Sequence, residues 1–215
     1  MDKLSQEDAK LFYSIWLPLL DFVNQKYSIL PSHPGFEAMS GKNAIEPEDA
    51  YAVSSVLWEK PTQEIDDYQL STATSSACSE EVRQEILNSW KRKITSRFFM
   101  VRHLRDEGTI LIQAQADQAG QINDAGVNRL LGDESTGAGR VFLVRGIESN
   151  IEAMFPPEYF PLPLLVRATL IPFKDVIITD GLIQRYEFYM GKGIKKILND
   201  AYMQAKWEKR VISKL

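Results

Sequence analysis

The residues best suited to proton transfer here are two histidines, His33 and His103. His103 alternates with Arg102 in RFFMVRHL, a stretch with the period of a strand. If Asp180 or Asp175 oriented its ring, His103 would have the partner that a general base needs. No other signal of a catalytic set accompanies it, and a lone strand histidine is more often structural. The catalytic residues are therefore unassigned. His33, in PSHPG, reads as a solvated loop residue. The single cysteine, Cys78, lies in a Ser/Thr-rich stretch with no basic neighbour to activate it, and excludes an internal disulfide. No His/Cys spacing suits a metal, so neither a metal nor a cofactor is expected.

Basic groups form the second candidate site. Residues 91–105, KRKITSRFFMVRHLR, hold six basic side chains and no acid. Lys91, Arg92, Lys93 and Arg97, next to Phe98 and Phe99, have the chemistry of a nucleic-acid contact: cations for phosphates and aromatics for bases. The sequence pI of about 5.4 argues against that use. A third candidate is MGKGIKK, where Lys192, Lys195 and Lys196 open a helix; a capping turn is the plainer explanation. The candidate binding residues are thus Lys91, Arg92, Lys93, Arg97, Arg102, His103 and Asp180.

These residues must be positioned by something. The composition, 44% hydrophobic and 25% charged, is that of a globular chain with a buried core. No apolar run of membrane-spanning length occurs, no signal segment leads the chain, and a cytoplasmic location is expected. The net charge of −4 is unevenly spread. Residues 1–90 carry 6 Lys+Arg against 15 Asp+Glu; the remainder carry 19 against 14. Such a split fits two structural units and suits docking to a partner.

Helical periodicity marks LSQEDAKLFYSIWLPLLDFVNQKYSIL, capped by Ser5 and interrupted by Pro18. EPEDAYAVSSVLWEK and SEEVRQEILNSWKRKI follow, the latter capped by Ser79 with Val82 and Ile94 on its apolar face. The period then changes to two. RFFMVRHL, TILIQAQA, RVFLVRGI, LLVRATLIPF and DVIITDGLIQRYEFYM read as five strands, the last bent at Gly181. A Gly/Asp/Gln-rich loop at 115–140 separates the second and third strands, and ESNIEAMF is a short helix after the third. KGIKKILNDAYMQAKWEKRVISKL closes the chain as a helix.

The fold class expected is α+β: a helical region over 1–95, then over 96–215 a five-stranded antiparallel sheet or small barrel, OB-like or SH3-like, with a C-terminal helix.

FMVRHLRDEGTILI, VFLVRGIES and LLVRATLIPFKDVIITDGLI…GKGIKKILNDAY resemble a family of uncharacterised bacterial proteins. The shared features are the Arg-His-Leu strand, the Leu-Ile-Pro-Phe-Lys turn, the Asp-Gly-Leu and the Gly-x-Gly-Ile helix start. The likeness covers about residues 97–205 and implies a bacterial, intracellular setting, with no activity attached. Some relatives carry a SEC-C type tail with metal-ligand cysteines; residues 206–215 hold none, so no zinc site carries over.

The expected function is a non-enzymatic binding or regulatory module that engages a partner protein or a second copy. The alternatives are nucleic-acid binding through the 91–105 patch, the weaker partner class, and an enzyme with its site near Asp180, His103 and the 115–140 loop. No membrane partner is expected.

Overall fold

The computed structural model describes residues 1–39, 46–71, 79–114, 139–156, 160–187 and 190–215. The chain divides into two compact units. One is helical and runs from Ser5 to Lys93; the other joins Met1–Leu4 to Ile94–Leu215. The first four residues therefore belong with the second half, whereas the sequence alone groups them with the helices.

In the helical unit, α1 spans Gln6–Tyr27, and the Ser5 hydroxyl caps it by accepting the Asp8 N–H. The helix passes through Pro18 without ending. α2 (Phe36–Met39) is one turn, and both oxygens of Asp21 accept N–H groups from its first residues, Phe36 and Glu37. α3 spans Pro47–Glu59 and α4 spans Pro61–Ser71, each opening on a proline. α5 (Glu80–Trp90) starts from the Ser79 cap. Aromatic rings fill the core: Trp16 stacks on Trp58 at 5.6 Å, and Trp90 lies 5.7 Å from Phe12 and 5.9 Å from Trp16. Val82, expected on the packed face of α5, is instead exposed.

The other unit is built on β1 (Ile94–Leu104), β2 (Gly108–Gln113), β3 (Val141–Arg145), β4 (Leu164–Phe173) and β5 (Val176–Arg185). A short helix, α6 (Ile151–Met154), lies between β3 and β4, and α7 (Lys192–Trp207) follows β5. The strands close into a barrel in the order β1-β2-β3-β5-β4. That order, with a helix after the third strand, matches the OB-type alternative. The sheet is not antiparallel throughout: β3 and β5 run parallel, pairing Val144 with Ile177 and Arg145 with Ile178. The connection between them passes through α6 and β4, long enough for the crossover that parallel strands require.

Strand alternation divides the apolar residues into two layers. Phe98, Met100, Leu111, Phe142, Val144 and Val166 belong to one cluster, the barrel interior. Phe99, Ile110, Ile112 and Val141 belong to a second, on the outside, with Ile194, Leu198, Tyr202 and Ala205 of α7. The amphipathic stripe of α7 thus covers the outer face of β1 and β2.

The β3 edge facing away from β2 is shared among three partners. β5 takes its last two residues. Further along, Gly146 donates its N–H to Asp2 O and accepts the Leu4 N–H. At the other end, Leu143 donates to Ile212 O at 2.9 Å, and Ile212 donates to Val141 O at 2.8 Å. The helix expected to run to Leu215 therefore stops at Trp207, and the residues beyond it form an extended strap against β3.

Candidate functional site

The residues singled out in the sequence fall in both units. Lys91, Arg92 and Lys93 belong to the helical unit; Arg97, Arg102, His103 and Asp180 belong to the barrel unit. Lys91 is paired within its own unit, its ammonium 2.5 Å from Asp66 Oδ1 and 2.7 Å from Asn88 Oδ1. Arg97 lies over the Tyr186 ring, 5.3 Å from its centroid. Arg102 donates to Asn199 Oδ1 at 2.8 Å and lies 5.6 Å from the Tyr202 ring, so it anchors α7 to β1. Phe98 and Phe99 are fully buried on opposite sides of β1, one in the barrel and one under α7. Neither presents a face to a base.

His103 pairs with Thr109 across the first hairpin, Nδ1 to Oγ1 at 2.8 Å, and its Nε2 is buried without a hydrogen-bond partner. Burial disfavours the imidazolium and pushes its pKa below the ordinary histidine value; the charge of Glu152 opposes that shift. Asp180 lies on β5, which is not a neighbour of β1. Its Oδ1 accepts the Leu182 N–H at 3.1 Å, beside Gly181 at φ +87°. The β4–β5 register shifts at this place, so the bend expected at Gly181 is a β-bulge. Asp175, the other carboxylate considered for His103, is 2.6 Å from Lys214 Nζ, and this ion pair holds its carboxyl below the usual carboxylate range.

His33 is not solvated: its side chain is 6% exposed. The ring packs 4.3 Å from Phe36, Nδ1 accepts the Gly35 N–H, and Nε2 is 3.9 Å from Asp49 Oδ2. Cys78 and most of the 115–140 loop (residues 115–138) lie outside the described residues. Among the described residues, no group of three or more His, Cys, Asp and Glu is arranged to hold a metal ion, and no helix is long and apolar enough to cross a membrane.

The feature the candidate list omits is the outward ridge of α7. At about 100° per residue, Lys192, Lys196, Met203 and Trp207 project opposite the buried stripe of Ile194, Leu198, Tyr202 and Ala205. Trp207 is 88% exposed and Met203 is 50% exposed. Lys206 is exposed beside them and Lys192, Lys195 and Lys196 nearer the start of the helix, with Asp200 and Glu208 exposed as well. The flank of the helix borders a pocket of about 210 Å³, lined by Ile197, Asp200, Ala201, Gln204 and Arg210 among others. The sequence carried the signal: Met203 and Trp207 are the two large apolar residues of this helix that fall off its apolar stripe.

No family model, curated protein or solved structure matches the chain.

Proposed function

We propose that the chain is a non-enzymatic binding module that engages an acidic partner protein through the outward ridge of α7. The observation that carries this reading is the exposure of Trp207 on a helix whose opposite face is fully packed. Tryptophan is the residue type most enriched at the energetic centres of interfaces. The surrounding lysines favour an acidic surface and speed its approach. The stripe of α7 is committed to the barrel, so the ridge can dock without unfolding anything.

Two observations weigh against nucleic acid. OB-type barrels take oligonucleotides on the face of the second and third strands, and here α7 covers the β2 part of that face. Both phenylalanines of the basic patch are buried. The enzymatic reading is weakened because His103 and Asp180 lie on strands that do not pair and each makes local bonds.

A photo-cross-linking side chain at position 203 identifies the protein that covers the ridge. With that partner purified, Trp207→Ala is expected to weaken binding at least about tenfold, with an unchanged unfolding midpoint. Lys196→Glu is expected to slow association, most visibly at low salt. Equal affinity for the unsubstituted chain and Trp207→Ala overturns the reading.

A further inference from the structure

The outer face of β1, β4 and β5 supports a separate inference, independent of the α7 ridge. Alternation sends Phe98 and Val166 into the barrel and their neighbours Arg97 and Arg167 to the outside, on the face that also carries Phe99 and Leu165. Arg97 and Arg167 are direct register partners across β1 and β4, and Arg167 is in turn opposed to Gln184 on β5. Directly opposed residues hold their Cβ atoms about 4.5–5.5 Å apart, and like charges so placed repel. The next pair on the same face is Thr95 and Thr169, whose hydroxyl oxygens lie 3.0 Å apart. Arg97 is half-buried and held 5.3 Å from the Tyr186 ring centroid, while Arg167 and Gln184 are exposed. Glu187, the acid that follows Tyr186, lies 3.6 Å from Arg185. The row thus sets two guanidinium groups, each a planar array of N–H donors, side by side with an amide at one end.

We propose that Arg97, Arg167 and Gln184 form a binding site for a phosphate dianion, free or as a monoester. A shared anion turns the repulsion between opposed guanidinium groups into attraction, and the arginine fork matches the spacing of phosphate oxygens. Two positive charges suit the charge of up to two that a terminal phosphate carries. Each phosphate of a nucleic-acid strand carries one charge, and its bases seek open aromatic faces. Here Phe98 and Phe99 are buried and Tyr186 lies against Arg97. The same dianion is offered by a free phosphate and by a phosphorylated side chain of a partner protein, and titration distinguishes the two.

The full-length chain is titrated at fixed ionic strength with inorganic phosphate, with a phosphoserine peptide and with an oligothymidylate lacking terminal phosphates. The Nε–Hε signals of the arginines are followed by NMR. Saturable shifts of the Arg97 and Arg167 signals are expected. Saturation by inorganic phosphate, with or without the peptide, marks a free anion; saturation by the peptide alone marks a phosphorylated partner. Arg167→Gln is expected to weaken that binding at least about tenfold. It is also expected to abolish the rise in unfolding midpoint that the bound anion gives the unsubstituted chain over chloride of equal ionic strength. Arg97→Lys, which keeps the charge and loses the fork, is expected to bind more weakly than the unsubstituted chain. The proposal is overturned if neither phosphate nor peptide gives saturable shifts in the millimolar range, or if Arg167→Gln binds as well as the unsubstituted chain. Tighter binding of the oligothymidylate than of either monoanionic competitor-free phosphate ligand at the two arginines overturns it as well.

Discussion

His103 and Thr109 are directly opposed on β1 and β2, joined Nδ1 to Oγ1 at 2.8 Å beside the turn of the first hairpin. The contact has a pH signature. The folded chain holds His103 below its ordinary pKa, mainly through burial. The unfolded chain takes up that proton near pH 6.5. Just below pH 6.5 the unfolded state therefore binds more protons, and stability falls as pH falls until the depressed folded pKa is reached. Urea midpoints for the unsubstituted chain and His103→Gln, taken between pH 7.5 and 5, are expected to show a shallower acid decline in the variant. An NMR titration of the ring is expected to give a midpoint under 6.5.

In the helical unit the carboxylate of Glu64, 1% exposed, accepts 2.7 Å bonds from both Lys26 Nζ and the Tyr27 hydroxyl. Its removal leaves Lys26 with Asp67 and returns the Tyr27 hydroxyl to solvent. Glu64→Ala is expected to cost about 1–2 kcal/mol by chemical denaturation, the loss of two hydrogen bonds to a charged group that are open to solvent on the donor side. Glu64→Gln, which keeps an acceptor, is expected to cost less.

Gly146 and Gly181 make a graded pair. A Cβ on Gly146 would overlap the backbone carbonyl of Ser149, and neither side can yield without moving the chain that leads into α6. Gly146→Ala is expected to cost at least about 3 kcal/mol. Because Gly146 also holds Asp2 and Leu4, hydrogen exchange at the Leu4 amide should accelerate in the variant. A Cβ on Gly181 would meet only the Ile147 side chain at 3.6 Å, so the φ of +87° is the sole obstacle. Gly181→Ala is expected to cost about 1 kcal/mol.

The two faces of α7 separate by mutation. Tyr202 is 2% exposed in the cluster that joins α7 to the barrel, and Tyr202→Ala is expected to cost about 3 kcal/mol or more. Trp207→Ala and Met203→Ala are expected to leave stability within about 0.5 kcal/mol. Thermal unfolding of the three variants checks the contrast without any knowledge of the partner.

Local patterns carried most of the fold. Ser5 and Ser79 announced their helices because a cap is a short-range bond, and LLVRATLIPF fits β4 because its run of buried residues ends at a turn. α4 was hidden because one of its three buried side chains is charged; only Pro61 marked its start. Ile94 continued the helical period of α5 yet begins β1, since tertiary pairing with Leu170 outweighs a local preference. The strap was missed because Lys209 takes a left-handed conformation that would have been legible only as glycine or asparagine. The parallel pairing of β3 with β5 is set between residues more than thirty apart, where no local pattern reaches. At the candidate site, the residue types of His103 and Asp180 suggested chemistry, and only the strand order shows that they lie on strands that do not pair. The position of Trp207 off the apolar stripe of α7 is legible in the sequence, whereas its 88% exposure is set by how the helix packs on the barrel.

The β3 edge also has a consequence for how the chain is made. Asp2 and its side-chain partner Asn150 are separated by 148 positions, and the strap that completes the seam is synthesised later still. Residues 5–93 form a compact unit of their own, and such units generally fold as they emerge during synthesis. The four residues ahead of them must wait, unpaired, until Gly146 has left the ribosome. A nascent chain halted before Ile212 would carry a finished helical unit attached to an unsealed barrel. Chaperones and proteases that survey for unpaired strand edges would meet that intermediate during synthesis, before the seam is sealed.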